Sequence, residues 1–194
     1  TLFNRSFLAK LLYANSAAEL GKFQVAEEEL RKAEILAGSD EEMLLQVITM
    51  RADVFYRMKQ YDKAFSEFDK AIAMNKQDVT ILNNYAYYLA EQNLRLKDAE
   101  DMIKQVIAVE ADNNTFLDTY AWVLYKRGKL KDAARIMEQI INSGQKPDAE
   151  WYEHYGYILR KQRKCDEAVL NWNIALKLDS TKQNLIKEIE NCTR

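Results

Sequence analysis

Apolar residues in the stretch 117–141 follow two helical patterns that a glycine separates. Leu117, Ala121 and Leu124 recur at spacings of four and three, which places their side chains on one face of an α-helix. Gly128 interrupts this pattern, and a second apolar face begins two residues later. A linker this short joins antiparallel neighbours. The stretch therefore predicts two helices folded back on each other, and neither can bury its apolar face without further units of the same kind.

The same helix pair recurs along the chain with a period of 34 to 38 residues, and small residues mark each copy. A small residue opens the second helix of each pair, at Ala26, Ala64, Ala99, Ala133 and Ala168. Another lies 12 or 13 positions earlier in the first helix, at Ala14, Ala52, Ala86, Ala121 and Gly156. A large apolar residue follows four positions after each opening residue, at Leu30, Phe68, Ile103, Met137 and Trp172. Two helices cross closely only where one of them has almost no side chain, so these markers predict five helix pairs packed in series.

The marker positions resemble a known family, the tetratricopeptide repeat, whose unit of about 34 residues has the pattern W-x2-L-G-x2-Y…A-x3-F. The fifth copy is Tyr152-x2-Tyr155-Gly156-x2-Leu159 followed by Ala168-x3-Trp172. The fourth copy is Leu117-x2-Tyr120-Ala121-x2-Leu124 followed by Ala133-x3-Met137. The resemblance covers about residues 7–182. It implies an all-α fold, an α-solenoid in which about five helix-turn-helix units form a right-handed superhelix.

The resemblance also implies a single array over residues 1–194 with a capping helix at its end. The expected repeats span about 7–40, 45–78, 79–113, 114–148 and 149–182. The capping helix is expected at about 181–192, with Ser180 or Thr181 as its N-cap and with Leu185, Ile186, Ile189 and Cys192 facing inward. Phe3, Phe7 and Leu8 have the pattern of interior residues without a preceding cap, so we interpret the chain as a fragment of a longer one.

The repeat pattern is broken at several places. Extra residues lie around 38–41 and within 93–96. Arg51 stands where the family has a large apolar residue, which leaves the packing between the first two repeats open. Pro147 is expected at the start of a helix, where its missing N–H does no harm.

Composition and charge exclude several classes of protein. The 28 Lys and Arg residues against 30 Asp and Glu give a net charge of −2, so the chain is no general binder of polyanions. No apolar run approaches the roughly 20 residues of a transmembrane helix. Two cysteines provide too few ligands for a zinc site. For Cys165 and Cys192 two alternatives stay open: two reduced thiols buried as small hydrophobic groups, or a disulfide between helix ends that antiparallel stacking brings together.

Motifs for catalysis, cofactors and metals are missing from the sequence. It contains one histidine and lacks the spacings C-x-x-C, G-x-G-x-x-G and G-x-x-x-x-G-K-[ST]. Its carboxylates lie on amphipathic helices, where such residues usually form solvated faces. We therefore predict a protein that is not an enzyme and uses no cofactor and no metal.

In the resembling family the first helices line a groove that binds a peptide or a protein segment. The equivalent positions in this chain are Asn83, Asn84, Tyr87, Asp118, Thr119, Trp122, Glu153, His154 and Tyr157. The aromatic members recur every 35 residues and suit an apolar or extended peptide, whereas in the alternative interpretation they pack between adjacent first helices. These positions carry more acid than base, so we expect a neutral or basic guest. His154 is either a pH-sensitive contact or an ordinary structural residue.

Basic residues gather at the turns within the later repeats, at Lys126, Arg127, Lys129, Lys131, Arg160, Lys161, Arg163 and Lys164. Cations at a helix C-terminus offset the helix dipole and are common there, which explains these residues without a ligand. The alternative is a basic edge that meets an anionic membrane or a nucleic acid, although the net charge argues against nucleic acid as a partner.

Two further interpretations concern the whole protein. In one, the repeats are a structural arm of a larger protein that self-associates through its N-terminal face, since an exposed repeat face is a ready association surface. The other is a resemblance: LNNYAYYLAEQN at 82–93 and LDTYAWVLYKRGK at 117–129 are similar to bacterial multi-repeat proteins, many of them exported to the cell envelope. That resemblance implies the periplasm as the compartment, with the cytoplasm as the alternative.

Overall fold

The computed structural model describes residues 2–193, with side chains described from residue 6 onward. All regular structure in this range is α-helical, which confirms the predicted all-α class. The helices are α1 (Leu2–Glu19), α2 (Phe23–Ala37), α3 (Glu41–Arg57), α4 (Tyr61–Met74), α5 (Val79–Glu91), α6 (Leu96–Val109), α7 (Asn114–Lys126), α8 (Leu130–Ile141), α9 (Ala149–Lys161), α10 (Cys165–Leu178) and α11 (Asn184–Thr193).

The helices divide into two compact units, which we call unit 1 and unit 2. Unit 1 spans Thr1–Tyr85 and contains α1 to α4 and the first half of α5. Unit 2 spans Ala86–Arg194 and contains the rest of α5 and α6 to α11. Each unit has its own apolar core, around Leu30 in unit 1 and around Met137 and Trp172 in unit 2. The repeat boundaries expected from the sequence stay a prediction.

The pair α7 and α8 shows how the sequence forms a helical hairpin. The side chain of Asn113 caps α7 by accepting a hydrogen bond from the N–H of Thr115 at 3.1 Å. After α7 the chain passes through Gly128 with a φ of 77°, in the left-handed region that favours glycine. α8 then buries Ala133 and Met137 against its neighbours. The predicted turn at Gly128 is confirmed.

The small residues that mark the first and second helices are all buried. At Gly156 an added Cβ would collide with the indole ring of Trp172. The Trp172 ring is itself fully buried and fills the space that a side chain at position 156 would need. The packing explanation of the repeat pattern is confirmed at these positions.

Local chemistry accounts for the breaks in the repeat pattern of unit 1. Gly38 follows α2 with a φ of 58°, and Asp40 then caps α3 by accepting a hydrogen bond from the N–H three residues later. Arg51 lies half-buried, 2.7 Å from a carboxylate oxygen of both Glu34 and Glu67. Burial lowers the pKa of Arg51, but its hydrogen bonds to the two carboxylates outweigh burial and raise that pKa. Ion pairs thus replace the apolar contact that the family pattern has at this position.

The C-terminal helix begins later than the sequence predicts. Asp179 accepts hydrogen bonds from the backbone N–H and the hydroxyl of Thr181 at 2.9 and 2.7 Å. Because this contact holds the chain in a turn, α11 starts at Asn184 rather than near residue 181. Leu185 is fully buried as expected, whereas Ile186 is 42% exposed.

A disulfide joins α10 to α11. Cys165 and Cys192 are bonded, and their Cα atoms lie 5.3 Å apart, within the usual range for such a bond. Of the two alternatives that the sequence leaves open for these cysteines, the structure has the bonded one.

The residues expected to be interior near the N-terminus, and the proline expected to open a helix, have different outcomes. Phe7 is buried as predicted, but Leu8 is 54% exposed. Phe3 lies outside the residues whose side chains the structure describes. Pro147 precedes Asp148, the N-cap residue of α9, rather than opening the helix itself.

Candidate functional site

A groove of about 680 Å³ opens in unit 1 between the first helices α1, α3 and α5. Its floor is apolar. Leu11, Phe68 and Ile81 are buried beneath it, and Leu45 and Met50 on α3 are half-buried along it. An apolar floor that remains accessible is what a docking segment needs in order to bury apolar surface of its own.

The rim of this groove is acidic. Glu42, Asp53 and Asp78 line it, and none of the lining residues is a lysine, arginine or histidine. Asp78 caps α5 by accepting hydrogen bonds from two backbone N–H groups, and Asp53 lies 3.9 Å from the side chain of Arg57. Glu42 is exposed in the first turn of α3. The groove therefore presents a negative potential over an apolar floor.

Two exposed leucines of α1 occupy positions that are equivalent to groove-lining residues of later first helices. In the repeat pattern Leu12 is equivalent to Met50 and to Asn84, both of which line the groove. Leu8 is equivalent to Gln46, which also lines it. Leu8 and Leu12 are 54% and 60% exposed. The α1 residues that line the groove itself are Leu11 and Asn15, and the two leucines are not among its lining residues.

The corresponding first-helix positions of unit 2 are filled by the protein's own side chains. Trp122 is 6% exposed and stacks on the imidazole of His154, with ring centroids 4.0 Å apart. Its Nε1 donates a hydrogen bond to Glu91 at 2.7 Å, and Nζ of Lys126 lies 4.7 Å from its ring centroid. These contacts fit the alternative interpretation of Trp122, in which the aromatic residues pack between adjacent first helices.

A buried ion pair lies beside this tryptophan. Nδ1 of His154 is 2.9 Å from a carboxylate oxygen of Asp118, and both residues are buried. Burial lowers the pKa of His154, but the charge of Asp118 and its hydrogen bond outweigh burial, so the pKa is raised. The charge of Glu150 raises this pKa as well. The histidine is thus a structural member of unit 2 with an internal partner.

The two tyrosines of the predicted aromatic set are also held by internal contacts. Tyr87 donates a hydrogen bond to Glu150 at 2.8 Å across 63 residues of sequence, and burial together with this carboxylate raises its pKa. Tyr157 packs edge-on against Trp172 at 5.4 Å and accepts a hydrogen bond from Asn184. Both side chains are half-buried.

The predicted groove residues fall into two classes of exposure. The buried members are Asn83, Asp118, Thr119, Trp122 and His154. The half-buried members are Asn84, Tyr87, Glu153 and Tyr157. Asn84 lines the unit 1 groove, while Glu153 pairs with Lys182 near the disulfide-bonded helix.

Of the residues that line the unit 1 groove, the predicted set contains Asn84, and the α3 residues that it misses include Glu42, Leu45, Gln46 and Met50. The repeat period contains a signal that finds part of this lining. Carrying the predicted positions Asn83, Asn84 and Tyr87 back by 34 residues gives Thr49, Met50 and Asp53, all of which line the groove.

The predicted basic edge is largely engaged in internal contacts. Arg127 and Lys129 both contact Glu100. Burial raises the pKa of that carboxyl, but hydrogen bonds from the surrounding cations outweigh burial and lower it to about 2. Further contacts join Arg160 to Glu188, Lys164 to Glu167 and Lys126 to Trp122. Lys131, Lys161 and Arg163 are exposed.

The described part of the chain contains neither a cluster of metal ligands nor a helix suited to crossing a membrane. Within it, His, Cys, Asp and Glu side chains form no group of three or more that could hold a metal ion. Among the helices of residues 2–193, none has the length and apolar character to cross a membrane.

Comparison with known proteins identifies the repeat. The family described as tetratricopeptide repeat matches residues 49–114 and 119–180. The chain is 32% identical over 100 residues to the TPR repeat-containing protein PA4667 of Pseudomonas aeruginosa; the match covers 50% of this chain and 17% of that relative. The matched stretch therefore spans about a sixth of the relative's length.

Solved structures with the same fold include two bacterial proteins. The structure of Pseudomonas aeruginosa pilF matches with a TM-score of 0.71 at 18% identity, over 99% of this chain and 89% of that one. TTC0263, a thermophilic TPR protein of Thermus thermophilus, matches with a TM-score of 0.77 at 14% identity, over 96% and 98% of the two chains. Identities this low show the fold alone.

Proposed function

Because this chain belongs to the tetratricopeptide repeat family, we propose that it docks a neutral or basic protein segment in the groove of unit 1. Repeats of this family form protein–protein interaction scaffolds and are generally non-catalytic. The choice of groove and the charge of the guest are inferred from the side chains that line the groove of unit 1.

The observation that carries the proposal is the open groove with an apolar floor and an acidic rim. Burying Leu45 and Met50 under a guest side chain would supply the apolar part of the affinity. A lysine or arginine of the guest near Glu42 and Asp53 would meet the negative potential of the rim, which favours the correct partner and speeds its association. Asn84 on the α5 side offers an amide for a polar contact.

The predicted unit 2 residues take a different part in this proposal. Trp122, His154 and Asp118 are occupied by contacts with one another and with Glu91. We assign them to holding the first helices of unit 2 together, and we assign guest binding to the groove of unit 1. Tyr87 and Tyr157, which are half-buried, stay candidates for weaker contacts on the first helices of unit 2.

The experiment compares two neighbouring acids on one helix turn. Glu41 and Glu42 are both exposed in the first turn of α3, but only Glu42 lines the groove. Fluorescence anisotropy would measure binding of short leucine-containing peptides that have the same length and differ only in net charge. We expect the lysine-rich peptide to bind best, and Glu42→Lys to weaken it roughly three- to tenfold, equivalent to ~1 kcal/mol.

Glu41→Lys is the matched control, because it makes the same change in charge and helix dipole outside the groove. Binding should stay within about twofold of wild type in this variant. Equal losses in both variants would reject the groove as the site, and preference for the acidic peptide would reject the proposed guest.

A further inference from the structure

The outer face of α10 has large apolar side chains that remain exposed. Leu170 is 65% exposed, Ile174 is 40% exposed and Leu178 is 47% exposed. They follow one another at intervals of four residues, so they form one stripe along the helix. The buried residues of α10, Ala168 and Trp172, lie on a different face.

Equivalent positions in the other second helices are polar. Leu170 is equivalent to Glu28, Ser66, Asp101 and Arg135. Ile174 is equivalent to Lys32, Lys70, Gln105 and Gln139. All eight of these residues are exposed. Four of the five second helices therefore have polar residues at the positions where α10 has leucine and isoleucine. Large apolar residues are expected at such positions when another surface covers them.

Exposed charges beside the stripe indicate what covers it. Glu167 lies at the N-terminal end of the stripe and Lys177 at its C-terminal end. If two copies of α10 lie antiparallel, Leu170 of each copy packs on Ile174 of the other, and Glu167 of each copy meets Lys177 of the other. The surface is thus complementary to itself in charge and in the placement of Leu170 and Ile174, as a two-fold interface requires.

We propose that this face of α10 binds a second copy of the chain through an antiparallel helix pair. The helix is suited to this because its position is fixed: the buried Trp172 holds one face and the Cys165–Cys192 disulfide ties its first residue to α11. The proposal is independent of the groove, since the groove belongs to unit 1 and α10 to unit 2. A contact made by one helix from each copy is small, so the dimer is weak and reversible.

The first test exchanges the stripe for the residues of the preceding repeat. Sedimentation velocity of the whole chain, without reductant, would be recorded over a wide concentration series. Wild type should show reversible dimers, and Leu170→Arg with Ile174→Gln, which copies Arg135 and Gln139, should weaken dimerisation at least about tenfold. Ile35→Gln is the matched control, because Ile35 is an 80% exposed residue on the second helix α2, and it should leave dimerisation unchanged.

The second test fixes the orientation of the pair. Glu167→Lys or Lys177→Glu alone places like charges opposite each other and should weaken the dimer roughly three- to tenfold. Combining both changes should restore it to within about twofold of wild type. A chain that is monomeric at every concentration, a dimer that survives the stripe exchange, or a double reversal as weak as the single ones would each overturn the proposal. Circular dichroism of every variant confirms that the helices are intact.

Discussion

The first helices of unit 1 and unit 2 use equivalent positions in opposite ways. Asp53 in unit 1 is equivalent to Trp122 in unit 2, and Met50 is equivalent to His154. Asp53 and Met50 line an open groove. Trp122 and His154 are buried against each other, with ring centroids 4.0 Å apart. Two units with the same kind of backbone thus differ in whether their first-helix face is accessible.

Side-chain size and reach explain this difference. In unit 2, Tyr87 reaches Glu150 across 63 residues of sequence, and Trp122 reaches Glu91. Such contacts satisfy the polar atoms of the rings and exclude a guest from the space between the helices. In unit 1 the shorter Asp53 and Thr49 leave that space open. A choice of one or two side chains per repeat therefore decides whether a first-helix face is open or filled.

The largest effect expected from this comparison is a loss of stability when Trp122 is replaced. Trp122→Ala removes a buried ring that both Glu91 and His154 contact, so it should lower the free energy of unfolding by about 3–5 kcal/mol. Urea unfolding followed by circular dichroism would measure the loss. Asp53→Ala, the equivalent change in unit 1, should stay within about 0.5 kcal/mol of wild type. Similar losses in the two variants would contradict the division between the units.

A smaller loss of unfolding free energy, about 2–4 kcal/mol, is expected when the disulfide is removed. Cys165 and Cys192 are separated by 27 residues and are the only cysteines of the chain. Replacing both by serine should lower the unfolding free energy of unit 2 and leave unit 1 unchanged, because the bond constrains the unfolded state of unit 2 alone. Hydrogen exchange resolved by segment would separate the units. Two free thiols after denaturation without reductant would show that the bond is absent.

The elements that the sequence predicted well depend on local pattern and on volume. The helices and the turn at Gly128 follow from apolar spacing and from glycine conformation, and the buried markers such as Ala133 follow from the space available where helices cross. These properties are periodic, so five copies repeat the same information.

The elements that it could not predict depend on contacts that only the fold creates. Tyr87, Trp122 and Tyr157 would have the same spacing whether their rings were accessible or packed between helices. The contact partners that distinguish these arrangements, such as Glu150, are distant in sequence. The late start of α11 depends on one side-chain contact of Asp179. The period alone therefore does not distinguish an open first-helix face from a filled one.

The smallest expected effect is a pH dependence confined to unit 2, because His154 is the one histidine of the chain. Its pKa is raised by Asp118, so the protonated imidazole stabilises the folded state. That contribution is fully present below the ordinary pKa of about 6.5 and is lost as the pH rises through the raised value. Stability measured by urea unfolding should therefore fall from pH 6 towards alkaline pH, by less than the disulfide contributes. His154→Gln should flatten this profile, and a slope that persists in the variant would assign the dependence to another group.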